Sequence, residues 1–272
     1  MPVLDSSEKS GKKQSFGGSC RKDKRDNQKS LQSWIWFIII IISFWWILSA
    51  CMHNPLICPS PFQVVHQMVL QIQNPDFVTA LLNTMGRALS SLALGFAIGL
   101  PCSFLGAFYP FWREFLNRLV SVLQTVPNVC YIILLLFWTD RTLTVILSGF
   151  FLLFPLIYRS LYEQLSDLCR RWKDVWILYP QPKWVLTTRI CFPMLRAALA
   201  AALKSASSLS FKACVTSEIL TGLAPGIGKK IQIARLDLNL AGVCAWSLWM
   251  ILFVFLFEKL WNLLAVRLFS QE

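Results

Sequence analysis

Long apolar blocks alternate with shorter polar stretches along this chain. Residues 31–50, LQSWIWFIIIIISFWWILSA, carry no charge, and a helix of that length rises about 30 Å, the thickness of a hydrocarbon core. Trp34, Trp36, Trp45 and Trp46 stand near the two ends of the block, where indoles favour the membrane interface. Further blocks run from about Val78 to Phe108, Phe115 to Trp138 with a break at Pro127, Leu143 to Tyr158, Met194 to Leu220 and Leu240 to Leu264. The pattern predicts an all-α fold, a polytopic membrane bundle of about six transmembrane helices.

The polar stretches assign sides. Residues 1–30 hold Lys9, Lys12, Lys13, Arg21, Lys22, Lys24, Arg25 and Lys29 and few large apolar residues, so they read as a basic, disordered cytoplasmic tail. Residues 51–77 contain no Lys or Arg and read as an outer loop, broken by Pro59-Ser60-Pro61. A short surface helix follows in it, with Phe62, Val65, Val69 and Ile72 on one side. The segment 159–192 holds Arg159, Arg170, Arg171, Lys173, Lys183 and Arg189 and is expected in the cytoplasm, inside a core domain covering 78–268. An even number of spans then puts both termini in the cytoplasm. Lys229, Lys230 and Arg235 fall on the outer side and break the positive-inside pattern.

Composition agrees with this organisation. Apolar residues make up 56% of the 272, charged residues only 15%, and the mean hydropathy is +0.54. The net charge of +12 would suggest a nucleic-acid partner in a soluble protein. Here the basic residues cluster between apolar blocks, so topology accounts for them and no nucleic acid is expected. Nine cysteines are present, none in a CxxC pair, and most read as small packing residues. Cys51 and Cys58 share the outer loop and are a candidate disulfide. Leu48-Ser49-Ala50-Cys51 also has the form of a lipobox, the rival reading for the first block.

The small residues of the second block suit close helix packing, with Gly95 and Gly99 in a GxxxG spacing. Arg87, Lys212 and Glu218 fall within apolar blocks, where a charge must face protein, water or an interface, and they are candidate translocation-pathway groups. Lys212 and Glu218 are poor partners for each other, being on different helix faces. Catalytic and metal-binding patterns are missing: there are two histidines, His53 and His66, and no HExxH, GxSxG or paired carboxylates. Leu223 to Lys230, LAPGIGKK, lacks the first glycine and the Ser or Thr of a phosphate loop. No cofactor, metal or enzyme activity is expected of this chain.

The end of the basic segment is the most informative stretch. Asp174, then Pro180, then Ile190, then Phe192-Pro193 resemble, in type and spacing, the EAA loop of the binding-protein-dependent ABC importer permeases. That pattern runs from an acidic residue to a glycine, an apolar residue and Leu-Pro. Trp184 and Arg189 are similar to residues frequent in the sulfonate, nitrate and taurine branch, to which thiamine-precursor permeases are related. Val175 and Trp176 replace an alanine pair, and Pro180 replaces the glycine, which makes the turn by another route. Asn83-Thr84 with Arg87, Gln124-Thr125-Val126-Pro127, Ser217-Glu218, Gly226-Ile227-Gly228 and Ala245-Trp246 also resemble that family in their order along residues 55–268.

The resemblance implies a type I-like ABC importer permease fold in the cytoplasmic (inner) membrane. It implies three partners: a cytoplasmic ABC ATPase that binds the ATP, an extracytoplasmic solute-binding protein, and a second permease copy. Asp174, Pro180, Trp184, Arg189, Ile190 and Pro193 would form the ATPase-coupling loop, with Asp174 capping the coupling helix or bonding the partner. The solute is left open among sulfonates, taurine, nitrate and thiamine-related pyrimidines. An ion-gradient-driven secondary transporter and a decayed, non-transporting subunit are the alternatives.

Overall fold

The structure, a computed structural model, describes residues 36–269 other than 38, 53, 55–56, 180–181 and 183–184. The basic tail, Trp34, Pro180 and Trp184 thus lie outside the described residues. No strand occurs among those described. The helices are α1 (Ile39–Met52), α2 (Pro61–Gln73), α3 (Asp76–Phe108), α4 (Pro110–Thr125), α5 (Asn128–Trp138), α6 (Arg141–Arg171), α7 (Lys173–Leu178), α8 (Arg196–Thr221), α9 (Ile227–Leu236) and α10 (Leu240–Phe269). Among the described residues, α3, α6 and the Leu240–Lys259 part of α10 are long and apolar enough to cross a membrane, and the bent pair α4–α5 makes a fourth if counted as one span. The predicted span Met194–Leu220 is helical as α8 but, with Arg196, Lys204, Lys212 and Glu218 in it, does not stand out by hydropathy.

Contacts divide the chain into two units, Met1–Gln63 and Val64–Glu272. In the first, α1 exposes most of its apolar side chains. The loop after it is tied back by Trp45 Nε1 donating to the Pro59 carbonyl at 3.1 Å and Ser49 Oγ to that of Cys58 at 3.1 Å. Ser60 and Gln63 form a capping box: each backbone N–H donates to the other's side-chain oxygen, at 3.0 and 3.3 Å. With Pro61 at the first helical position, this starts the predicted surface helix one residue before Phe62. Phe62, Val65, Val69 and Ile72 are all exposed. No disulfide joins the described cysteines, Cys51 and Cys58 included.

The second unit is organised by α3 against α6. A Cβ at Gly95 or Gly99 would lie 3.0 Å from Ile157, and one at Gly106 would lie 2.7 Å from the Tyr158 hydroxyl. The missing side chains are therefore what allow the two helices to approach. Leu92, Leu153, Ile157, Leu161, Ala202 and Ala206 close the core between α3, α6 and α8. Buried hydroxyls join the same helices: Ser91 to Ser210 at 3.0 Å, Ser210 to the Ala88 carbonyl at 2.6 Å, and Ser148 to Ser217 at 2.7 Å. These bonds satisfy polar groups where neither lipid nor an apolar core could.

The breaks between helices follow from local chemistry. Asp140 caps α6, accepting from the N–H groups of Thr142 and Leu143 at 3.1 and 3.3 Å. Gly222, at φ 65°, ends α8 in the left-handed conformation. The predicted third span is not one helix: α4 and α5 meet at 97°. Proline lacks the N–H that would continue the helix and drives the residue before it out of the helical region, and Val126 is extended. The Tyr131 hydroxyl donates to the carbonyl of Leu123 at 2.8 Å, serving an acceptor near the break. Residues 159–171 of the polar segment are not a loop but continue α6.

Candidate functional site

Two sets of candidate residues can be placed. The first surrounds α7. A turn at Trp172, whose N–H bonds the Leu168 carbonyl at 3.1 Å, separates α6 from this short helix. Trp176 is its one half-buried residue, packed among Leu165, Leu186, Cys191 and Leu195. Ile177, Leu178 and Tyr179 point outward, at 68%, 73% and 71% exposure. Asp174 lies exposed in the first turn but does not cap the helix; Trp172 holds the cap position, with no side-chain bond. The chain returns through a π-helical turn, Leu186–Cys191, in which Arg189 is exposed and Ile190 half-buried. Such turns cost stability and recur at functional sites. Half-buried Pro193 sits at the start of the next short helical turn, Phe192–Met194.

The second set is a buried ion pair. Arg87 on α3 donates through Nη1 to Glu218 Oε1 on α8 at 2.7 Å. The Glu218 side chain is wholly buried. Thr84 Oγ1 lies 3.0 and 2.9 Å from its two oxygens, and the Gly228 N–H donates to Oε2 at 3.0 Å. The same groups hold the turn before α9: Arg87 Nη1 donates to the Pro225 carbonyl at 2.9 Å, and the Ile227 N–H to Thr84 Oγ1 at 2.9 Å. A Cβ at Gly226 would fall 2.6 Å from Glu218 Oε2, and one at Gly228 would fall 2.5 Å from Glu218 Cβ. Only glycine admits the carboxylate this close to the backbone. Opposite charges paired and hydrogen-bonded inside protein are how such groups persist in an apolar setting.

Lys212, on α8 with Glu218, is exposed and takes no part in this cluster. Lys230 Nζ pairs with Asp76 Oδ2 at 2.9 Å, so one of the basic residues that break the positive-inside pattern is neutralised at the start of α3. The pairing of Arg87 with Glu218 was not foreseen. Its signal lay in two opposite charges in separate apolar blocks, together with the closely spaced Gly226 and Gly228.

A helical membrane unit with an exposed apolar helix inside a basic segment matches a known protein family. Residues 95–269 match the model of the binding-protein-dependent transport system inner membrane component. The chain belongs to this family. The matched region holds α4 to α10, including Glu218 and the α7 segment, while Thr84 and Arg87 precede it. The formylaminopyrimidine transport permease protein ThiX of Halalkalibacterium halodurans is 26% identical over 202 residues, 71% of this chain and 76% of that protein. As in its family, the chain is a membrane-embedded transport component.

Proposed function

We propose that the chain is the solute-conducting subunit of an ATP-driven importer. It works with a cytoplasmic ATPase, a soluble extracytoplasmic binding protein and a second copy of itself. The observation that carries this reading is α7, a six-residue helix anchored by Trp176 with Ile177, Leu178 and Tyr179 turned outward. An apolar knob on a basic cytoplasmic segment is suited to a groove on a soluble partner. ATP would be bound by that partner, whose closure would swing the paired permeases between inward- and outward-facing states. Asp174, Arg189 and the neighbouring Pro180 and Trp184 would frame the contact. Both termini and residues 159–192 would face the cytoplasm.

The likeness to a formylaminopyrimidine permease favours a thiamine-precursor-like pyrimidine over sulfonate, taurine or nitrate. The deciding experiment is capture of partners on the tagged full chain in detergent. A soluble ATPase should co-purify and be lost when residues 165–190 are scrambled in protein that still folds. A well-folded chain that captures no ATPase would overturn the reading. It would favour an ion-driven transporter, to which the broken α4–α5 span is also suited.

A further inference from the structure

A polar cavity of about 250 Å³ lies between α4 and the half of α6 that leads to α7. Asn117 and Ser121 line it from α4, and Tyr158, Arg159, Tyr162 and Glu163 from α6. Its size is below that of sites for drug-sized ligands and suits a single-ring solute. The rings of Tyr158 and Tyr162 stack with centroids 5.6 Å apart and planes 6° from parallel. Tyr158 is fully buried and fixed, its hydroxyl donating to Asn117 Oδ1 at 3.0 Å, which leaves the amide N–H groups of Asn117 as donors. Half-buried Tyr162, backed by that stack, is a rigid aromatic wall.

The charges decide the chemistry. Arg159 Nε donates to Glu163 Oε1 at 3.2 Å, and Arg159 Nη1 to Gln124 Oε1 at 3.3 Å. Both members of the ion pair are more than half exposed, at 59% and 63%. Arg159 and Glu163 begin the segment read as cytoplasmic, so this wall of the cavity opens to water at the cytoplasmic end of α6. The site has no net charge. A sulfonate or nitrate drawn to Arg159 would meet the Glu163 carboxylate beside it, whereas a neutral ring with amino and ring-nitrogen groups can donate to one and accept from the other.

We propose that this cavity is a recognition subsite for a planar, uncharged, amino-substituted nitrogen heterocycle, stacked on Tyr162 and hydrogen-bonded by Asn117, Arg159 and Glu163. It rests on the reading of the chain as the solute-conducting subunit and names the chemistry that subunit selects.

The test is equilibrium binding of radiolabelled formylaminopyrimidine to the full chain in nanodiscs, with unlabelled methanesulfonate and nitrate as competitors. The pyrimidine should bind, and neither anion should displace it at hundredfold excess. Tyr162→Ala and Glu163→Gln should each weaken binding roughly tenfold, and Tyr162→Phe should restore it, with all variants melting as the parent does. Absence of binding, displacement by either anion, or unchanged binding in Tyr162→Ala would each overturn the proposal. ATPase capture is scored on the same variants. Capture without an effect of Tyr162→Ala removes only this subsite, whereas loss of capture by the parent chain removes the importer reading itself.

Discussion

The Arg87–Glu218 cluster and helix α7 treat their side chains in opposite ways. Around Glu218 both carboxylate oxygens are matched: they receive Thr84, Arg87 and the Gly228 N–H, and the glycines leave no spare volume. On α7 and its C-cap, Ile177, Leu178 and Tyr179 are 68%, 73% and 71% exposed. The first arrangement holds α3, α8 and the α9 turn in one position. The second buries little of its apolar surface within the chain and, on the proposed function, offers it to a partner. A subunit that works as proposed would need both, because force delivered at one place is useful only if the helices that receive it do not deform.

Breaking the buried pair should have the largest effect. Glu218→Ala leaves Arg87 buried without its partner and should cost about 3–5 kcal/mol. The double variant Arg87→Met/Glu218→Ala should recover a large part of that loss, as read by thermal unfolding in detergent across the double-mutant cycle. Gly228→Ala drives a methyl into Glu218 Cβ and the Val215 carbonyl and should cost about 1–3 kcal/mol; adding Glu218→Ala should not recover it, because the obstructing Cβ and backbone atoms remain. Lys230→Ala, which removes a pair whose Asp76 end is exposed, should change stability by about 1 kcal/mol or less. Smallest of all on stability is Ile177→Asp, within about 0.5 kcal/mol, yet it should abolish ATPase capture. A melting loss comparable to that of Gly228→Ala would erase the contrast between the two regions.

Much of the fold was legible because lipid imposes a length rule on apolar runs. The blocks at 78–108 and 143–158 became α3 and α6, and GxxxG at Gly95 and Gly99 fell on the contact between them. Pro59-Ser60-Pro61 marked the break before α2, and the Ser60–Gln63 cap completes it. What escaped was set by tertiary context. Pro127 marked a break, but whether a proline kinks a span or turns it through 97° depends on what packs beyond it. Residues 159–171 looked like a loop because their charges mask a helix that simply outlasts its apolar stretch. Arg87 and Glu218 are separated by 131 positions, and their partnership depends on the register of α3 against α8, which no local pattern encodes.

The elbow at Pro127 also bears on the solvent that surrounds the protein. The eleven residues of α5 rise about 16 Å, roughly half the thickness of a hydrocarbon core. Acyl chains beside this helix must either shorten or yield the remaining depth to protein. A change of lipid chain length is therefore expected to bear on the angle between α4 and α5.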